Sequence, residues 1–159
     1  MTADVIRFIA DWLMFGIGAL ALYAFAFRVP RKAWWHWAWR IVLAGLTCYA
    51  VARLVGHFWQ PAELRPFQLL GVAPGAAYLP NPGFPSDHAL FAMFLTLAVW
   101  YSTRSKVLGL IMLAMTLAVC VGRVLALVHT PLDVAGGILI AFTGVIWYYY
   151  GRARQKIVQ

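Results

Sequence analysis

The chain has 159 residues, of which 64% are hydrophobic and 11% are charged. Because an ordinary soluble domain is roughly 45–50% apolar and about 25% charged, this composition excludes a disordered chain, a collagen-like fibre, a coiled coil and a water-soluble globule. A membrane protein remains. At about 20 residues per span, residues 1–159 have room for roughly four to six helices in a single domain.

Five apolar segments follow one another along the chain, and each predicts a helix. They cover approximately residues 5–27, 37–58, 86–101, 107–121 and 132–150. The only long connection, over residues 56–85, carries six of the eight prolines. Its apolar stretch Phe67-Gln68-Leu69-Leu70 favours an interfacial or re-entrant segment over a disordered loop. The sequence therefore predicts an all-α, polytopic transmembrane helix bundle of five to six helices.

The distribution of charge predicts how the chain crosses the membrane. With the N-terminus outside, the cytoplasmic stretches 28–40, 103–106 and 152–156 hold nine of the thirteen basic residues, and all five acidic residues fall on the outer side. Because basic loops stay in the cytoplasm, we expect a multi-pass protein with a cytoplasmic C-terminus. Topology thus explains the net charge of +8, and no nucleic-acid partner is expected.

Unusual polar residues gather on the outer face that this topology defines. His88 stands where the third segment begins, and His129 precedes the fifth. Arg65 lies in the long loop, and Arg123 lies in the short turn before His129. Ionisable groups at membrane depth are costly, which makes them functional candidates. Two helix N-termini and two arginines make an anion site that is best suited to phosphate.

The two histidines supply the chemistry that such a site needs. A neutral imidazole can attack phosphorus, and a carboxylate on its other ring nitrogen fixes the tautomer. Asp133 follows His129 by four residues, which is within reach for that role. The second histidine, when protonated, can give its proton to the leaving oxygen.

Simpler interpretations exist for several of these residues. Thr130-Pro131-Leu132-Asp133 is a good helix start with Asp133 as the capping acid. Ser86 and Asp87 fit an N-cap role as well, and the Arg123 side chain could reach for the membrane surface. The joint placement of these residues on one face is what favours a functional site.

Three short motifs lie within residues 65–133. They read Arg65-Pro66, Pro85-Ser86-Asp87-His88 and Arg123-x5-His129-x3-Asp133. In this order they resemble the signature of the type 2 phosphatidic acid phosphatase family, whose fold is a membrane bundle, normally of six helices. The aspartate at position 87 resembles the bacterial undecaprenyl-diphosphate phosphatases of that family.

The resemblance implies a role for each matching residue. His129 would be the nucleophile that forms a phosphohistidine, Asp133 would orient it, and His88 would be the general acid. The phosphate would be bound by Arg65, Arg123, Ser86 and backbone N–H groups near Asp87. The resemblance implies no metal and no other cofactor.

The chain departs from the family pattern at three positions. Phe58 stands where a lysine usually precedes the first-motif arginine, Asp87 where glycine is common, and Gly122 where serine is common. His57, beside Phe58, is a candidate substitute for the lysine. Loss of one phosphate-binding cation leaves open a lower affinity, a different phosphate species or a reassigned enzyme.

We therefore expect a lipid (di)phosphate phosphatase in the bacterial inner (plasma) membrane, with its active site facing the periplasm or the exterior. The expected reaction is the hydrolysis of undecaprenyl diphosphate to undecaprenyl phosphate, for peptidoglycan and cell wall biogenesis. A phosphatidylglycerol-phosphate or lipid A phosphatase or phosphotransferase is the alternative among enzymes. A non-catalytic lipid-phosphate binder or transporter, and a structural membrane subunit, are the alternatives outside enzymes. The sequence carries no signal for an oligomeric state.

Overall fold

Long apolar runs form helices here because a helix satisfies its own backbone hydrogen bonds inside a membrane. The computed structural model describes residues 2–149, which contain six helices and no strand. The helices are α1 (Ala3–Arg28), α2 (Trp34–Phe58), α3 (Pro66–Leu69), α4 (Asp87–Thr103), α5 (Lys106–Leu125) and α6 (Pro131–Tyr149). The segments that contain α1, α2, α5 and α6 are long and apolar enough to cross a membrane. The prediction of a helical membrane bundle is confirmed.

One difference between the predicted and observed helix ends matters for function. The sequence predicts an end at residue 121, whereas α5 continues to Leu125. Apolar residues continue past Gly122, and the helix penalty of one glycine is only about 1 kcal/mol. Arg123 therefore stands in the last turn of α5 and not in the connection that follows. The basic tail that the sequence places in the cytoplasm, residues 150–159, lies outside the described residues.

α4 lies at the centre of the bundle and packs against α1, α2, α5 and α6. Thr96 Oγ1 on α4 and Thr116 Oγ1 on α5 form a buried hydrogen bond of 2.9 Å. Inside a membrane, an apolar side chain gains about as much from contact with lipid as from contact with protein. Hydrogen bonds between helices such as this one therefore contribute to holding the bundle together. The outward faces carry large exposed apolar side chains such as Phe15, Leu22 and Leu117, as a lipid-facing surface requires.

Two glycines bring α6 close to the start of α4. A Cβ atom added at Gly137 would lie 2.6 Å from the Ser86 carbonyl oxygen, and one added at Gly136 would collide with the Phe84 ring. A larger side chain at either position would push the two helices apart. These glycines therefore set the distance between the N-termini of α4 and α6.

The long connection between α2 and α4, residues 59–86, is folded against one end of the bundle. Phe67 N–H donates to Leu127 O at 3.0 Å, and Gly75 N–H donates to Ala126 O at 2.9 Å. Backbone groups of a buried loop need such partners. The connection is thus fixed to the segment that joins α5 to α6.

α3 occupies the apolar part of this connection, where the sequence predicts an interfacial helix. It has only four residues, because Gly71 in the left-handed conformation (φ 65°) ends it. The N–H groups of Gly71 and Val72 donate back to Gln68 O and Phe67 O, at 3.3 and 3.0 Å, which is the usual glycine-terminated helix end. The predicted helix is therefore present as a single turn.

Candidate active site

One end of the bundle brings together the starts of α4 and α6, the end of α5 and the long connection. A cleft of about 330 Å³, called the central cleft here, opens at this end. Five of the seven predicted site residues line it, namely Arg65, Asp87, His88, Arg123 and His129. The other two, Ser86 and Asp133, are buried and do not line the cleft.

His129 lies in the short connection between α5 and α6, with its ring beside Asp133. Nδ1 of the ring is 3.6 Å from Asp133 Oδ2, slightly longer than a hydrogen bond. The same Oδ2 accepts the Thr130 N–H at 2.7 Å, and Thr130 Oγ1 accepts the Asp133 N–H at 3.2 Å. This reciprocal pair is a capping box. Asp133 therefore caps α6 and faces the histidine ring at the same time.

Burial determines the protonation state of His129. The residue is only 5% exposed. Its desolvation lowers the pKa below the ordinary value, Arg123 and Arg65 lower it further, and Asp133 opposes the shift. The imidazole is therefore neutral at neutral pH, which is the state that a nucleophile requires. Because Nδ1 faces the carboxylate, Nε2 is the ring nitrogen left for chemistry in the cleft.

His88 lines the same cleft from the first turn of α4. It is less buried than His129, and the charges of Arg123, Asp11 and His129 act on it. One imidazole is thus buried beside a carboxylate, and the other is closer to solvent. Two histidines in such different surroundings can divide the roles of nucleophile and proton donor.

Arg123 is a buried charge that an acid from α1 neutralises. The arginine is 1% exposed, and its Nη1 donates to Asp11 Oδ1 at 2.8 Å. Asp11 Oδ2 accepts the N–H of Ala77, which belongs to the wall of the central cleft. Arg123 Nε has no hydrogen-bond partner within residues 2–149. Burial this deep excludes a side chain that merely reaches for the membrane surface, and Arg123 lines the cleft as a buried cation.

The pairing of Asp11 with Arg123 is the part of the site that the sequence analysis missed. Asp11 appeared there only as one of the five acids on the outer side. One signal was available, since an acid within an apolar helix is unfavourable unless it has a partner. Nothing in the sequence identified the partner, because the two residues are 112 positions apart.

Arg65 connects the long connection to the backbone beside His129. Its Nη1 donates to Val128 O, and its Nη2 donates to Asn81 O at 3.1 Å and to Asn81 Oδ1 at 3.0 Å. The guanidinium also lies 5.5 Å from the centre of the Tyr78 ring. Arg65 thus lines the cleft and at the same time fixes two segments of its wall.

Ser86 and Asp87 both stand at the start of α4, where their side chains have different partners. Ser86 is fully buried, and its Oγ accepts the Ala89 N–H at 3.5 Å, so the hydroxyl caps α4. The Asp87 carboxylate accepts from Arg53 Nη2, with 3.3 Å to each oxygen. The N-cap interpretation therefore describes the Ser86 side chain as the structure has it, whereas Asp87 forms an ion pair with α2.

The departures from the family pattern have physical correlates. A second cleft, called the neighbouring cleft here, adjoins the central cleft, and its lining includes Arg53 and His57 of α2. Phe58 is 78% exposed and lines neither cleft. At Gly122 a Cβ atom would lie 2.9 Å from Ala10 N. A serine there would displace the backbone of α1 next to Asp11.

The family comparison agrees with this geometry. Residues 33–157 match the model of the PAP2 superfamily, a match that includes α2 to α6 and all seven predicted site residues but begins after α1. Comparisons with curated proteins and with solved structures gave no match. The resemblance found in the three motifs is confirmed, and the chain belongs to the PAP2 superfamily.

Proposed function

We propose that this protein is an integral-membrane lipid phosphatase that works through a phosphohistidine on His129. The observation that carries the proposal is a buried His129 with Asp133 beside its ring and Arg123 and Arg65 in the same cleft. A lipid-phosphate binder or transporter would need the arginines, but it would not need a nucleophile backed by a carboxylate. The arrangement therefore favours catalysis over binding alone.

In the first step of the proposed reaction, the Nε2 lone pair of His129 attacks the terminal phosphorus. The bond from phosphorus to the leaving oxygen breaks, and protonated His88 gives its proton to that oxygen. Arg123 and Arg65 stabilise the negative charge on the transferring phosphoryl group. The Asp133 carboxylate stabilises the positive charge that develops on the His129 ring.

In the second step, water attacks the phosphohistidine. His88, now neutral, accepts a proton from the water, and the bond between nitrogen and phosphorus breaks. Inorganic phosphate leaves, while His129 returns to its neutral form and His88 to its protonated form. The cations that this mechanism uses are guanidinium groups, so we propose that it runs without a metal ion.

A second cleft beside the central one supports a diphosphate as the substrate. This neighbouring cleft, of about 210 Å³, shares Asn81, Pro82, Pro85 and Asp87 with the central cleft. Arg53 and His57 of α2 also line it, and the Arg53 side chain is 48% exposed. Two adjoining compartments that each carry a cation suit two linked phosphates. We propose undecaprenyl diphosphate, and hence a role in recycling the carrier for peptidoglycan synthesis.

The proposed location is the bacterial inner membrane, with the central cleft facing the periplasm or the exterior. The acidic residues of the part of the chain that the structure describes lie on the side of the bundle that holds the central cleft. They are Asp4, Asp11, Glu63, Asp87 and Asp133. The basic stretches 28–40 and 103–106 join the opposite helix ends. The positive-inside rule then places the cleft outside. This orientation fits a lipid diphosphate that is left on the outer leaflet.

Replacement of the nucleophile tests the proposed reaction. We expect His129→Ala to lower phosphate release by roughly a thousandfold or more, because no other group takes over the attack. The assay offers undecaprenyl diphosphate, phosphatidylglycerol phosphate and phosphatidic acid to detergent-solubilised protein, with and without chelator. His36→Ala, a half-buried histidine on α2 outside both clefts, serves as the control and should retain activity. Release by His129→Ala at the wild-type rate would overturn the mechanism.

The pH dependence of kcat/KM tests the pairing of His129 with Asp133. Since burial lowers the pKa of His129, its reactive neutral form should persist below pH 6.5, the ordinary pKa of the side chain. Asp133 raises that pKa, so Asp133→Asn should move the acid limb to lower pH. The plateau should fall roughly a hundredfold or more, because the ring loses its orienting partner. The wild type and Asp133→Asn are compared with the same substrate, so that ionisation of the substrate affects both profiles equally. An acid limb that moves to higher pH in Asp133→Asn would contradict the pairing.

Replacement of Arg53 tests the diphosphate. We expect Arg53→Ala to lower kcat/KM about tenfold for the lipid diphosphate, as the loss of one charge-assisted contact of roughly 1.5 kcal/mol predicts, and less than threefold for the monophosphate. The double variant Arg53→Ala/Asp87→Asn separates lost attraction from the repulsion of an unpaired Asp87. Arg7→Ala, an exposed arginine of α1 outside both clefts, is the control. Equal losses for both lipids would refute a second phosphate subsite.

A C-terminal fusion tests the orientation. A reporter that is active only in the cytoplasm should be active there, because the basic stretches on the side opposite the cleft stay inside. A reporter that is active only in the periplasm, fused at the same position, should be silent. The reverse pattern would place the cleft in the cytoplasm and remove the support for an outer-leaflet substrate.

A further inference from the structure

Asp11 of α1 lies at the end of the bundle that holds the central cleft. The two carboxylate oxygens of Asp11 bind different segments, Oδ1 the Arg123 guanidinium at 2.8 Å and Oδ2 the Ala77 N–H at 3.0 Å. We propose that Asp11 is a positioning residue, which holds Arg123 and the Ala77–Tyr78 wall in the geometry that binds phosphate. This inference rests on the proposed function, and it assigns a part of the site to a helix outside the family match.

The local shape of α1 brings Asp11 to Arg123 and Ala77. Residues Phe8–Trp12 form a π-helical turn within α1. Such a turn inserts one residue into the helix and redirects the side chains around it, and it occurs often at functional sites. Without it, the helical periodicity would place residue 11 on a different face.

α5 is shaped to receive this turn. Ala10 is fully buried, and a Cβ atom at Gly122 would lie 2.9 Å from Ala10 N and from Ile9 Cγ2. Gly122 immediately precedes Arg123, so the closest approach of α1 to α5 occurs beside the arginine that Asp11 binds. The π turn, the glycine and the ion pair are three separate features of the chain that produce one contact.

The contact acts on the groups of the proposed reaction. Arg123 is 1% exposed, and with Nη1 held by Asp11 it keeps Nε without a partner within residues 2–149. Asp11 touches neither the cleft nor the phosphate position directly, since the cleft lining does not include it. Its effect must therefore pass through Arg123 and the wall.

The first test compares Asp11→Ala with Asp4→Ala, an exposed acid of the same helix whose removal changes the charge equally. We expect Asp11→Ala to lower kcat at least tenfold, because a misplaced guanidinium no longer fits the transition state. KM for the lipid should change less than threefold, because the apolar tail supplies most of the affinity for substrate. Protection by inorganic phosphate against thermal unfolding should also be lost. Asp4→Ala should match the wild type in all three measurements.

A second variant addresses the same contact without removing the acid. Gly122→Ala should reproduce the kcat loss and the loss of phosphate protection, because its methyl group displaces Ala10 and with it Asp11. Gly18→Ala is the matched control, since a Cβ atom there meets nothing within 4 Å. If Asp11→Ala does not fold, Asp11→Asn replaces it, since its amide is uncharged and offers only one acceptor oxygen.

A double-mutant cycle separates positioning from a purely structural role. Asp11→Ala should lower kcat/KM by a smaller factor in an Arg123→Lys background than in the wild type, because the part of its effect that passes through Arg123 is already lost and only the part through the Ala77–Tyr78 wall remains. Additive losses would overturn the proposal, as would kcat and phosphate protection at wild-type level in Asp11→Ala. If the wild type releases no phosphate from any lipid, the proposed function fails, and phosphate protection alone decides on Asp11. A wild type that phosphate does not protect overturns the Asp11 proposal in every case.

Discussion

The buried guanidinium of Arg123 is the constraint on which the functional end of the bundle depends. A charge at 1% exposure is strongly unfavourable without a partner, and the partner comes from α1, 112 residues earlier in the chain. To supply it, α1 opens into a π turn and α5 has glycine at position 122. The packing of these two helices is therefore coupled to one ion pair.

Most polar groups of the site belong to the fold and to the chemistry at once. Asp133 caps α6 and faces the His129 ring, and Arg65 binds the carbonyl of Val128 while it lines the cleft. This sharing follows from the scarcity of water at such a position, because each buried donor or acceptor has to be satisfied by another protein group. Asp133 and Arg65 are fixed in place for the same reason, since moving either side chain would break a helix cap or a loop contact.

The sequence predicts what depends on short stretches of chain. Apolar runs predict the helices, and the number of spans between the motifs predicts that the histidines and arginines meet at one membrane face. The contact of Asp11 with Arg123 could not be predicted, because the two residues are far apart in the chain. It also depends on a π turn in α1, and the apolar pattern of the sequence gives no sign of that turn. The Ser86 hydroxyl could not be placed either, because a capping serine and a phosphate-binding serine at a helix start look the same in sequence.

The segment that joins α5 to α6, residues 126–130, is short, and Val128 N–H donates back to Arg123 O at 3.3 Å. A bilayer of different thickness tilts spanning helices, but Arg123 and His129 lie on either side of this short link and move together. Arg53, in contrast, belongs to α2 and meets this end of the bundle through a partly exposed ion pair with Asp87. A change in membrane thickness would thus alter the spacing between the two clefts before it altered the spacing within the central one. Lipid composition would then influence which headgroup fits, while the geometry of phosphoryl transfer stayed constant.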